Sequence, residues 1–264
     1  MPADLAEKSP EKFVQILGVR FFNGAAAEAV AQLQRSGGYV VVPAAPGLVK
    51  LRYDSDFRTA LVSADLAIAD SGLMVLLWRW LGSRRLTRVS GLAYLKELLR
   101  LPVMREPGKT FWILPTQDAV ASTMSWLRSA GFPAQPEDFY AAPFYGNEVR
   151  DDALIALMDS RRPANVIIGI GGGPQEKLGL FLRDHLRYRP AIHCIGAAIG
   201  FLTGDQIAIP DWADRFYLGW LFRLFAQPRI FIPRLWSACE LPRLIFKYRE
   251  NLPVEGEKAE TLKS

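Results

Sequence analysis

Six short runs rich in β-branched and aromatic residues recur along the chain: FVQILGV (13–19), YVVVP (39–43), LAIA (66–69), TFWIL (110–114), NVIIGI (165–170) and AIHCI (191–195). Between them, around 25–36, 54–64, 73–81, 92–100, 117–130, 149–160 and 175–187, apolar residues return at helical spacing. Runs that are apolar at consecutive rather than alternate positions need cover on both faces, which a sheet sandwiched between helices provides. The pattern therefore predicts an α/β fold with a doubly wound, mostly parallel, Rossmann-like sheet. Ligands of such sheets collect at the C-terminal ends of the strands, so the candidate chemistry is sought there.

At 264 residues, half of them apolar and 22% charged, the chain has material for one sizeable core. The polar stretches 1–12 and 250–264 lack hydrophobic periodicity and read as disordered ends around an α/β domain at 13–210 and an arm at 211–249. That arm carries the charge: from 215 to 249 seven Lys/Arg face one acidic residue, Glu240, giving +6 against +5 for the whole chain. Nine aromatics are interleaved with these cations. A basic aromatic helix suits an anionic membrane surface; packing on its own domain or on a second subunit is the alternative, and Pro228, Pro233 and Pro242 are expected to break it into short pieces. No nucleic-acid motif accompanies the basic stretch, so nucleic acid is not an expected partner. The longest uncharged run, 190–204, is too short for a spanning helix, and Asp4, Glu7 and Glu11 stand where a secretory signal would be basic and then apolar. The expected place is the cytoplasm, peripheral on the inner face of the plasma membrane.

Two cysteines, Cys194 and Cys239, and two histidines, His185 and His193, support neither a disulfide framework nor a metal cluster. No metal and no cofactor is expected. The triplet Asp54-Ser55-Asp56 opens a helix-period segment, which makes capping its natural role. Asp70 follows LAIA directly, where a carboxylate serves either as a general base or as the N-cap of the next helix. Arg88 meets a diphosphate or lies on a solvated face, and the residues alone favour the face. The strand NVIIGI runs into Gly171-Gly172-Gly173-Pro174-Gln175-Glu176-Lys177. Its glycines either let a ligand approach the backbone at a helix N-terminus or simply serve a tight turn, and Pro174 breaks the dinucleotide fingerprint.

Taken in order, several stretches resemble the WecG/TagA/CpsF glycosyltransferases: DSDFRTALVSADLAIAD (54–70), Arg88-Val89-Ser90-Gly91, the 169–177 turn, Gly196 to Phe201 with Gly204, and Pro210-Asp211-Trp212 leading to 220–224 and Pro228-Arg229. The resemblance covers roughly 14–236. It implies an inverting transfer of a sugar from a UDP donor to a lipid-pyrophosphate-linked saccharide acceptor in the synthesis of a bacterial surface polymer. Asp70 is then the general base, Arg88 and Gln175 contact the donor or stabilise charge, and Arg223, Arg229 and Arg234 are the plausible arginines that a membrane-attached C-terminal arm brings to the active site. The resemblance also implies that homo-oligomer assembly and arm placement are coupled. Four stretches depart from the family pattern: Pro43-Ala44-Ala45-Pro46 replaces T-x-N-P, Ala93 replaces an aspartate, Gly219 a glutamate, and Gly173 stands at the usual proline position with Pro174 directly before Gln175. The losses at Ala45 and Ala93 leave a second reading open, a non-catalytic scaffold of a polysaccharide assembly system.

Overall fold

The computed structural model describes residues 12–81, 85–146, 148–205 and 228–256. Eight strands form one sheet: β1 (Phe13–Ile16), β2 (Val19–Phe22), β3 (Gly38–Val41), β4 (Leu66–Ile68), β5 (Thr110–Leu114), β6 (Phe139–Ala141), β7 (Asn165–Ile168) and β8 (Ala191–Cys194). Their order is β1-β2-β4-β3-β8-β7-β5-β6, and every neighbouring pair except β1–β2 is parallel. The expected doubly wound parallel sheet is what the chain forms.

Successive strand residues enter opposite cores, which is why the runs are continuously apolar. Val41, Ile113 and Ile168 belong to one cluster, and their neighbours Val40, Trp112 and Ile167 to the other. The first face is covered by α2 (Ala45–Val49), α3 (Ser55–Val62), α4 (Gly72–Trp80), α7 (Asp152–Arg161) and α8 (Pro174–His185). On the second lie α1 (Ala26–Ser36), α5 (Gly91–Leu99), α6 (Gln117–Ser129) and the start of α9 (Gly200–Thr203).

The run at 13–19 is a hairpin rather than one strand. Leu17 and Gly18 both have positive φ, 50° and 78°, as a two-residue turn matched to strand twist requires. A Cβ on Gly18 would lie 2.7 Å from the Leu252 side chain, so the glycine also admits the C-terminal segment.

That segment returns to the domain. α10 (Pro228–Ala238) packs against α2, and α11 (Leu241–Tyr248) packs against α2 and α4. Leu241, Leu244 and Ile245, at helical spacing, are buried in the first core, each contributing roughly 2 kcal/mol of apolar burial. Beyond α11, the Arg249 and Glu250 carbonyls accept from the Leu17 and Gly18 N–H at 2.8 and 2.9 Å, and the Arg58 guanidinium donates to the Pro253 carbonyl. Pro228 and Pro242 stand in the first turns of their helices, where a missing N–H costs nothing. Pro233 differs from expectation: α10 runs through it rather than breaking there. The boundary at 210–211 lies outside the described residues. Among the described residues, no helix is long and apolar enough to cross a membrane.

The central strand β8 carries a buried polar chain. The Tyr94 hydroxyl donates to His193 Nδ1 at 2.9 Å, and His193 Nε2 pairs at 3.1 Å with Asn165 Oδ1, which also accepts from Gln34. This pattern satisfies a neutral imidazole, which has one donor and one acceptor. Burial holds the His193 pKa down to about 3, below its ordinary 6.5. The native ring thus stays neutral where the unfolded ring already takes up a proton. Its contribution to stability is intact above pH 6.5 and is lost as pH falls from there toward 3, with a slope of at most about 1.4 kcal/mol per pH unit. Urea unfolding of the wild type should therefore weaken more between pH 6.5 and 4.5 than that of His193→Asn; equal losses would contradict the neutral, buried ring.

Candidate active site

At the end of β4 two polar side chains stand side by side, and the serine supplies the helix cap. Ser71 Oγ accepts from Met74 N at 3.2 Å and closes the first turn of α4. The Asp70 carboxylate reaches another helix instead: its Oδ1 accepts from Gly91 N, at the start of α5, at 3.3 Å. The segment before α5 is tied to the same strand end, with Val89 N donating to the Ala69 carbonyl at 3.1 Å and Arg88 Nε to the Asp70 carbonyl at 2.8 Å. Arg88 Nη2 stands 3.8 Å from Asp70 Oδ1, and its side chain is only 16% exposed. Arg88 is therefore held against Asp70 and not on the solvated face that the residues alone had favoured. A Cβ on Gly91 would lie 3.4 Å from the Ile195 carbonyl and 3.6 Å from Val42 Cγ1, so α5 begins wedged against the ends of β8 and β3.

The second group lies where β7 leads into α8. Gly171 and Gly173 have positive φ, 98° and 107°, and a side chain added at Gly171 or Gly172 would meet nothing within 4 Å. Among the described residues, no backbone carbonyl takes up the Gly171 or Gly172 N–H. Glu176, in the first turn of α8, folds back to accept from Gly173 N at 2.6 Å and from Gln175 Nε2 at 3.0 Å. Burial pushes the Glu176 carboxyl above its ordinary range, opposed by these two donors and by the Lys50 ammonium. Gln175 is itself buried; its Nε2 reaches the Cys194 carbonyl at 3.5 Å, while its Oε1 has no partner and lies beside Gly196, at the end of β8. Lys50 Nζ is 3.6 Å from the position a Cβ would take on Gly173.

Because β4, β3, β8 and β7 are consecutive in the sheet, the two groups open onto one edge, three strand spacings or about 14 Å apart. The arrangement offers a carboxylate and a guanidinium on one side, and a helix N-terminus with open glycines and an ammonium on the other. Such an edge is equipped to move a proton at one end and to hold a phosphorylated leaving group at the other.

The structure thus brings Asp70, Arg88, Gly171, Gly172 and Gln175 to one edge. Arg229 is exposed on α10, whereas Arg223 and the side chain of Arg234 lie outside the described residues. Asp54 caps α3, accepting from Phe57 N at 3.0 Å and from Lys177 Nζ at 2.8 Å. Although burial works against its charge, these two donors hold the Asp54 carboxyl below its ordinary value. Sequence reasoning left out Lys50 and Glu176 as site residues. The acid at the third position of α8 is a capping signal that was legible; the nearness of Lys50 to Gly173 is set by tertiary packing alone.

The model of the glycosyl transferase WecG/TagA/CpsF family matches residues 14–254. The chain belongs to that family. The match extends through α10 and α11, so the C-terminal helices are part of the family unit. A curated relative, the N-acetylglucosaminyldiphosphoundecaprenol N-acetyl-beta-D-mannosaminyltransferase of Bacillus subtilis (strain 168), is 25% identical over 178 residues, 66% of this chain and 66% of that protein.

Gly172 separates folding from ligand binding, since it has room for a methyl group and no positive φ. Gly172→Ala should leave the thermal midpoint unchanged or slightly raised, because alanine restricts the unfolded chain, yet lower glycosyl transfer at least tenfold. Gly171→Ala, forced into positive φ, should instead lower the midpoint. A fully active Gly172→Ala enzyme would show that no substrate approaches this turn.

Proposed function

We propose that the chain is an inverting glycosyltransferase that moves a sugar from a UDP-sugar to a saccharide acceptor linked through diphosphate to a polyprenyl lipid, in bacterial surface-polymer synthesis. The observation that carries this reading is the Asp70 carboxylate, released from capping duty by Ser71 and held beside Arg88 at the end of a central strand. The acceptor class is that named in the B. subtilis relative.

In this mechanism Asp70 takes the proton of the acceptor hydroxyl as its oxygen attacks the anomeric carbon of the donor. The bond from that carbon to the UDP oxygen breaks on the opposite face, which inverts the centre. Arg88, Lys50, the Gly171 and Gly172 N–H groups and the positive end of α8 offset the charge gathering on the departing diphosphate, without a divalent ion. Ala45 opens α2 at the end of β3, and Ala93 lies in the first turn of α5, two residues from the Asp70 partner Gly91. Neither substitution removes a member of the acid–guanidinium pair. That retained pair favours catalysis over a purely scaffolding role. Contact with the inner face of the plasma membrane follows from a lipid-bound acceptor.

Asp70→Asn keeps the shape and removes the base. Transfer should fall at least a thousandfold while UDP affinity, measured by calorimetry, stays within about twofold; near-normal turnover would remove Asp70 from the mechanism. Lys50→Met should raise the KM for the UDP-sugar about tenfold or more with a smaller effect on the KM for acceptor. An unchanged donor KM would place Lys50 outside the diphosphate site.

A further inference from the structure

α4 and α11 leave an apolar groove between them that the transfer chemistry does not use. The groove encloses about 360 Å³ and is walled by Leu77, Trp80, Ile245 and Phe246, with Arg243 and Lys247 at its edge. Its volume falls at the lower end of the range of small-molecule sites, about 300–1,000 Å³. Trp80 is 80% exposed and Phe246 65%. Leu73 and Leu76 continue the exposed apolar stripe along α4 toward Asp70.

Two features specify the occupant. The first is charge: cations edge an apolar trough, which matches a molecule with an anionic head and a hydrocarbon tail. The second is distance along a rigid element. α4 begins two residues after Asp70 and runs for nine residues, so Trp80 lies about 12 Å along the helix axis from its first residue. In a sugar joined through diphosphate to a lipid, about ten bonds separate a ring hydroxyl from the first lipid carbon, roughly 12 Å once the zigzag of ~1.5 Å bonds is allowed for. A hydroxyl at Asp70 therefore brings the start of the lipid to the groove.

We propose that the groove between α4 and α11 binds the first isoprene units of a polyprenyl-diphosphate acceptor, with Trp80 and Phe246 flanking the chain and Arg243 and Lys247 facing its anionic head. This subsite rests on the lipid-linked acceptor of the proposed function and adds where the lipid lies. Binding to the groove measures hydrophobic fit and charge, whereas transfer depends on Asp70, so the two fail separately.

The test titrates farnesyl diphosphate into the full-length protein, with inorganic diphosphate and farnesol as partial probes, and compares wild type, Trp80→Gln/Phe246→Gln and Arg243→Gln. Because these side chains are exposed, unfolding midpoints should be unchanged, which separates lost binding from lost folding. Wild type should bind farnesyl diphosphate at least tenfold more tightly than either partial probe. The aromatic double variant should lose at least tenfold and Arg243→Gln at least threefold. Equal affinity of wild type and the double variant, or equal binding of inorganic diphosphate, would overturn the subsite. So would unchanged farnesyl diphosphate binding accompanied by lost adhesion to phosphatidylglycerol vesicles, which would make the patch a membrane surface. Unchanged binding accompanied by dissociation in sedimentation would make it a contact between copies. Retained, groove-dependent binding in a chain that transfers no sugar would uphold the subsite while refuting the proposed function.

Discussion

Asp70 and Ser71 stand next to each other at the end of β4, and the first turn of α4 needs one side-chain acceptor. The serine hydroxyl takes Met74 N, a cap worth about 1 kcal/mol, and the carboxylate is thereby left for other partners. Those partners come from the segment preceding α5. The Arg88 side chain and the Val89 N–H donate to the carbonyls of Asp70 and Ala69, and Gly91 presents its N–H to the carboxylate. Asp70 is in this way placed beside the first turns of two helices and one guanidinium.

The opposite side of the cleft solves the same problem differently. α8 has a glycine at its cap position, so its orphan N–H groups need another acceptor, and the buried Glu176 supplies it by folding back onto Gly173. The acid satisfies one donor and leaves Gly171 and Gly172 facing open space. A buried carboxylate is costly unless donors surround it; Gln175 and the nearby Lys50 provide that surrounding. Glu176 therefore also fixes Gln175, whose unpartnered Oε1 lies beside Gly196. One side of the edge presents fixed negative charge and the other fixed donors, separated by rigid strands.

The sheet was legible in the sequence wherever strands are covered on both faces. TFWIL coincides with β5, NVIIGI contains β7 and YVVVP covers all of β3 but its first residue, because burial on two sides leaves no polar alternation to blur the signal. The edges were less legible. β6 has three residues, two of them half-buried, and the β1–β2 hairpin hid within an apolar run whose turn residue, Leu17, adopts a positive φ that few leucines tolerate. Candidate residues on strand ends were readable because strand ends can be read; the nearness of Lys50 to them was not, because its neighbour Gly173 is more than a hundred residues away. Charge dominated the reading of the last fifty residues. The stripe Leu241, Leu244 and Ile245 has helical spacing, but the cations and exposed aromatics between these positions mask it as a core signal.

That stripe changes the physical status of the C-terminal helices. α10 rests on α2, which begins at the end of β3, and α11 rests on α4, which begins at the end of β4. The ion pair of Arg52 with Glu240, 3.1 Å long, ties the turn after α2 to the junction of α10 and α11. Both helices thus brace elements whose first turns border the cleft. Three buried aliphatic side chains at roughly 2 kcal/mol each make α11 too costly to detach by ordinary fluctuation. The exposed face of α11 and the Asp70 carboxylate thus lie at two ends of one packed helix pair, and their spacing is fixed by the length of α4.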